Sequence, residues 1–161
     1  MSRLVENTKI VIKDALGTSP LQTAGNGVNM RNYAKCRITL LVATSDAVVV
    51  AGLVTLKQGT TASCATALVY SEYWMNGDML AGDTLTRVEA TSCTGAVRNK
   101  TAMYIFEVRA DMLDTDTFKS ENQYIRLDQS AVTTATSTHT VIYELYEPRY
   151  ARGAENMPTG Y

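Results

Sequence analysis

This sequence predicts an all-β fold: a single-domain β-sandwich, jelly-roll-like or immunoglobulin-like, with extended N- and C-terminal arms. Three observations carry that reading. Short segments rich in β-branched and aromatic residues recur along the chain, with glycines between many of them. The segment STHTVIYELYE (137–147) alternates, placing Thr138, Thr140, Ile142, Glu144 and Tyr146 on one face and His139, Val141, Tyr143, Leu145 and Glu147 on the other. No stretch of a dozen residues shows a convincing helical period, so helices should be minor.

The elements follow in chain order. TKIVIKDAL (8–16) suits a first strand better than a short helix, and LGTSPLQTAGNGVN (16–29) reads as an exposed loop. CRITLLVAT (36–44), LVTLKQG (53–59), ATALVYSEYW (65–74), TLTRVEATS (84–92), TAMYIFEVRA (101–110), QYIRLD (123–128) and the alternating 137–147 segment complete the strands. Gly52, Gly59, Gly77, Gly82 and Gly95 fall between strands, where turns with positive φ are expected. Pro148 lacks the N–H that a sheet ladder requires, so the sheet should release the chain there. A sandwich domain over 1–147, its N-terminal arm included, and an extension over 148–161 result. The extension has two prolines, two glycines and no apolar period, and cannot build a core of its own.

Composition narrows the functions. The 161 residues carry 15 basic and 16 acidic side chains, a formal net charge of −1, which gives no general attraction to nucleic acid or membrane. No run reaches the roughly 20 apolar residues of a membrane-spanning helix. Glu6 and Lys9 interrupt the apolar stretch a signal peptide needs, so synthesis and retention in the cytoplasm are expected. Cys36, Cys64 and Cys93 lie too far apart for a CxxC pair, and His139 is the single histidine, which disfavours a zinc site. Buried free thiols are expected, with a disulfide as the alternative.

Residues 109–128, RADMLDTDTFKSENQYIRLD, are the stretch richest in acids. A calcium loop alternates its oxygen ligands, has a glycine at its sharp turn and ends on a bidentate glutamate. Here Asp111, Asp114 and Asp116 lack the glycine, and Phe118 intrudes. A turn between strands is the better reading, with Met112 and Leu113 tucked inward and the aspartates accepting backbone hydrogen bonds. His139 lies in mid-strand with no nucleophile elbow, and no phosphate-binding glycine motif occurs. Neither a catalytic residue nor a cofactor follows. Trp74 is expected as a core anchor of the sandwich. Tyr146, Arg149, Tyr150, Arg152 and Tyr161 are the interface candidates, because aromatic rings and arginine forks dominate binding hot spots.

In order and spacing, VTLKQGT (54–60), YW (73–74), GDTLTRVEATS (82–92), YIFEVRADMLD (104–114), YIRLD (124–128) and LYEPRYA (145–151) resemble a family of small virion proteins of tailed bacteriophages. The resemblance spans roughly residues 30–151. Arg109 departs from it, standing where an acidic or neutral residue is expected. The resemblance implies a structural role: a capsid decoration, or cement, protein on the outer surface of the virion, made in the cytoplasm of a bacterial host. Its implied partners are the major capsid protein and other copies of itself, as a homotrimer, with no nucleic acid and no membrane. A head–tail joining or tail protein, and a β-sandwich binding carbohydrate or calcium at the host surface, are the alternatives.

Overall fold

The computed structural model describes residues 8–18, 27–44, 52–95, 100–113, 123–129 and 137–148. They form eleven strands and one short 3-10 turn, arranged as two antiparallel sheets. The larger sheet contains β1 (Thr8–Thr18), β11 (Ser137–Pro148), β3 (Tyr33–Thr44), β9 (Lys100–Arg109), β6 (Tyr73–Asn76) and β7 (Thr86–Val88), in that order. The smaller places β2 (Val28–Asn29), β10 (Tyr124–Gln129), β4 (Leu53–Gly59) and β5 (Thr66–Leu68) side by side, with β8 (Cys93–Thr94) also on β4. β11 and β3 form the longest ladder, from Ser137↔Thr44 to Pro148↔Tyr33, and β3 pairs with β9 from Thr44↔Lys100 to Lys35↔Arg109. Ladders of this length fix register firmly, since a one-residue slip would turn every apolar side chain outward.

The alternation read in 137–147 is the one observed. His139, Val141, Tyr143 and Leu145 are buried, while Thr140, Ile142, Glu144 and Tyr146 are only partly covered. Ile38, Leu40 and Val42 from β3, and Ala102, Tyr104, Phe106 and Val108 from β9, extend that buried face. Val54 and Leu56 from β4 and Ile125 and Leu127 from β10 close it from the smaller sheet. Each large apolar side chain so enclosed contributes about 1.5–3 kcal/mol. Phe106 is central, its ring meeting those of Tyr70 at 5.2 Å and Tyr73 at 5.6 Å. Two buried phenols also tie distant backbone: Tyr143 accepts a hydrogen bond from the Leu127 N–H (2.9 Å), joining the sheets, and Tyr70 donates to the Val54 carbonyl (3.2 Å).

Several expectations need correction. ATALVYSEYW is two strands: β5 belongs to the smaller sheet and β6 to the larger. Between them Tyr70 turns into the core, and one continuous strand could not serve both sheets. TLTRVEATS reduces to the three residues of β7 on the outer edge. Within 16–29, Val28 is 1% exposed and pairs with Ile125, so that end of the loop is structural. Gly59, Gly77, Gly82 and Gly95 do not lie in the left-handed region; among the described non-glycine residues, positive φ falls at Cys64 (44°) and Glu147 (56°). Gly59 serves close approach, because a Cβ there would lie 2.9 Å from the Cys64 Cα. TKIVIKDAL does form a strand, with a register shift between Lys13 and Gly17.

The three cysteines are free and buried. Burial pushes all three thiols up, those of Cys64 and Cys93 to about 11, against the nucleophilic thiolate form. Native protein at pH 8 should therefore react negligibly with iodoacetamide over an hour, and denatured, unreduced protein should take up three labels. Intact-mass measurement checks both. Two or fewer labels after denaturation would mean a disulfide.

Candidate functional site

The strand register places residues of the larger sheet in rows across its outer face. Ile12, Ile142, Thr39, Ile105, Trp74 and Arg87 form one such row, each opposite the next across neighbouring strands. Beside it runs Ile10, Glu144, Arg37 and Glu107, and beyond that Thr8, Tyr146, Lys35 and Arg109. An outer sheet face in water is expected to be mostly polar. Here an apolar row crosses it, and Ile10 and Ile12 at the β1 edge are 63% and 56% exposed. Exposed apolar area of this kind marks interaction surfaces.

Trp74 belongs to this face, and that corrects its expected place in the core. Its neighbour Tyr73 is buried, and the period of two turns Trp74 outward, where it is partly covered. It stands between two shallow grooves that share Trp74 and Glu107. One groove is bounded also by Ser71, Glu72, Arg109 and Met112, and the other, of about 330 Å³, by Arg37, Leu85 and Ile105. Past β6, the Asp78 carboxylate ties its loop down by accepting from the Leu80 N–H (3.2 Å) and pairing with Lys100 (3.1 Å). The loop holds Leu80 outward, 85% exposed.

The charges on the face are mostly paired. Arg37 meets Glu144 at 3.2 Å, Lys35 meets Glu147 at 2.7 Å, Arg109 meets Asp111 at 3.1 Å, and Arg87 pairs with both Glu72 and Glu89. Such exposed pairs are screened by solvent and contribute little to stability, but they fix where charge is presented. Tyr146 is the predicted interface residue that the structure describes. It lies half-buried on this face, with the Lys35 ammonium 5.8 Å and the Arg37 guanidinium 6.0 Å from its ring centroid. Its hydroxyl hydrogen-bonds Glu107; burial first, and the Glu107 charge next, push its pKa up to about 12. It therefore stays a neutral donor. Arg149, Tyr150, Arg152 and Tyr161, the other predicted interface residues, lie outside the described residues.

The acidic stretch resolves into separate parts. Ala110–Met112 form the 3-10 turn, Leu113 is buried and Met112 packs against the core, as read from the sequence. Asp111 is exposed and accepts from the Arg109 guanidinium. Asp114, Asp116, Phe118 and Glu121 lie outside the described residues. Asp128 has a role that sequence reasoning missed. It is 2% exposed and accepts two hydrogen bonds from the Arg126 guanidinium, Nε at 2.5 Å and Nη2 at 2.8 Å, while the Lys57 ammonium sits at 2.9 Å. Arg126 also donates to the Ser63 carbonyl at 2.7 Å. The turn over residues 60–64 thus meets the outer side of β10, and no local sequence signal announces it. His139 is fully buried, and burial lowers its pKa, which keeps the imidazole neutral. Among the described residues, no three His, Cys, Asp or Glu side chains stand together as a metal site.

No family model matches the chain, and no curated protein matches it. Among solved structures it is similar to the K3 adhesin domain of Lys-gingipain from Porphyromonas gingivalis, at 11% identity and a TM-score of 0.34, over 86% of this chain and 63% of that one. The chain therefore spans less than two thirds of that adhesin chain. A Bacillus endospore-appendage pilus structure shares 13% identity over 89% of this chain and 87% of its own, with a TM-score of 0.29. An infectious bursal disease virus structure shares 10% over 88% and 41%, with a TM-score of 0.22. Adhesin, pilus and virus structures thus stand among its weak structural neighbours, and at these TM-scores none of them carries an argument about function.

Proposed function

We propose that this chain is a structural virion protein, a capsid decoration (cement) protein that binds the outside of a tailed-phage major capsid lattice and stabilises the head. The observation that carries the reading is the outer face of the six-stranded sheet, where an apolar row, a partly covered tryptophan and paired charges are spread over area rather than gathered into a deep pocket. A lattice protein attaches through such area, and a symmetric particle multiplies weak contacts into firm ones. The resemblance to phage virion proteins supports it further, its motifs falling on β4, β6, β7, β9, β10 and β11. In this reading the partners are the major capsid protein and further copies of the chain, assembled as a homotrimer at local three-fold positions. The work is mechanical and not catalytic.

Quantitative mass spectrometry of purified particles tests the reading. A decoration protein should be present at roughly hundreds of copies per particle, as lattice symmetry dictates. A count of a few copies would instead make it a joining or tail component. Absence from particles, with a thermal shift on adding a glycan or calcium, would replace the virion role with a host-surface binding module.

A further inference from the structure

The two grooves beside Trp74 are lined by both signs of charge in equal number, Arg37 and Arg109 against Glu72 and Glu107. Each of the four already meets an opposite charge: Glu144, Asp111 and Arg87 for the first three, and the Lys35 ammonium for Glu107. A charged ligand finds no uncompensated charge here. Hydrogen-bonding capacity does remain. Among the described residues Arg37 uses one of its N–H groups, on Glu144, and Glu107 accepts from the Tyr146 hydroxyl, which leaves further N–H groups and lone pairs on each. Between them stands Trp74, whose indole stacks on no other ring and whose N–H meets no acceptor among the described residues. Leu85 and Ile105 on one side and Met112 on the other complete the walls. At about 270 and 330 Å³ the grooves lie near the lower limit for small-molecule sites, roughly 300 Å³.

We propose that the Trp74 grooves bind a neutral oligosaccharide, with one sugar ring on the indole and its hydroxyls held by Arg37 and Glu107. A pyranose has an apolar C–H face and hydroxyls that both donate and accept, the combination these walls match. The indole takes the C–H face, a guanidinium N–H donates to one hydroxyl, and a carboxylate accepts from the next. Other ligand classes fit less well. A charged peptide requires unpaired charge of the opposite sign, and an apolar anchor requires a dry, enclosed pocket, whereas these grooves are shallow and partly polar. Because the two grooves share Trp74 and Glu107, a chain of two or more sugars fills them better than a single ring. The proposal goes beyond the virion reading and does not rest on it. Trp74 lies four strand spacings along its row from Ile12, about 19 Å at 4.8 Å per strand. Attachment through the β1 edge would leave the Trp74 end of the face open.

Trp74 is the single tryptophan, so its emission reports the site directly. The experiment titrates the full chain with neutral di- to tetrasaccharides of glucose, galactose, mannose and N-acetylglucosamine, to about 10 mM, by emission and calorimetry. Sialylated and uronate oligosaccharides are run alongside. At least one neutral series should give a saturable emission change, with the same affinity in low and high salt because the ligand carries no charge to screen. Glu107→Gln should weaken that binding about ten-fold, and Trp74→Ala, followed by calorimetry, should abolish it. Circular dichroism shows whether the variants are folded; should Trp74→Ala unfold, Arg37→Ala takes its place, with about ten-fold weakening expected. No saturable change in any neutral series overturns the proposal. So does binding confined to the acidic sugars and lost in high salt, or binding that the folded variants leave intact. Neither result alters the particle copy number, so this proposal and the virion reading fall separately.

Discussion

Asp128→Ala should cost about 3–5 kcal/mol of folding stability, the range for breaking a buried ion pair by removing one partner. The carboxylate is 2% exposed and receives the Arg126 fork and the Lys57 ammonium. Deleting it leaves two cations facing each other, one of them 8% exposed, and removes the acceptor of the Arg126 Nε and Nη2 hydrogen bonds, leaving only the Ser63 carbonyl bond of those described above. A domain of this kind has only about 5–15 kcal/mol in hand, so the variant should lose much of its margin. Asp128→Asn keeps the shape and some acceptor capacity while losing the charge, and should fall between the variant and the parent. Urea unfolding with unchanged slope is the measurement. A loss under about 1 kcal/mol would place the pair among solvent-screened surface bridges, and the turn over 60–64 would then not be sealing it.

Phe106→Ala should cost a similar amount, about 3–5 kcal/mol, through lost transfer energy and the cavity left behind. The ring is fully buried and packs edge-on against Tyr70. Those contacts hold the crossing segment between β5 and β6, so relaxation around the cavity would have to move the segment that links the two sheets. Ile105→Ala, one residue earlier, removes a side chain from the outer face and should cost less than about 1 kcal/mol. The contrast between neighbours is the test. Equal losses at 105 and 106 would mean that the outer face is covered within the monomer, which would also remove the site around Trp74.

Much of the sandwich could be read from local pattern, because which residues face alike is a local property of an extended chain. β4 has the bounds read from the sequence, and β11 alternates as 137–147 predicts, extended by Pro148. Pro148 itself still pairs with Tyr33, so the ladder runs one residue beyond the 137–147 segment, and Glu147 just before it has a positive φ of 56°. Burial of the cysteines and the inward tuck of Leu113 also follow from residue type and position.

What alternation does not specify is which face becomes covered, and by what. Tyr73 and Trp74 are both large and aromatic, and only the pairing of β6 with β9 decided that Tyr73 goes to the core and Trp74 to the surface groove. The division of 65–74 between two sheets depends on Tyr70 finding Phe106 and the Val54 carbonyl, partners distant in sequence. Arg126 and Asp128 alternate with Ile125 and Leu127 as solvent-facing residues should, yet the turn at 60–64, some sixty residues earlier in the chain, closes over them. The sequence by itself determined the strands and the inner face of the longest ones, through a period of two that each segment carries alone. Only the tertiary structure decided the sheet each strand joined, the buried ion pair and the outer groove, because each of these is made by atoms that meet across long separations in the chain.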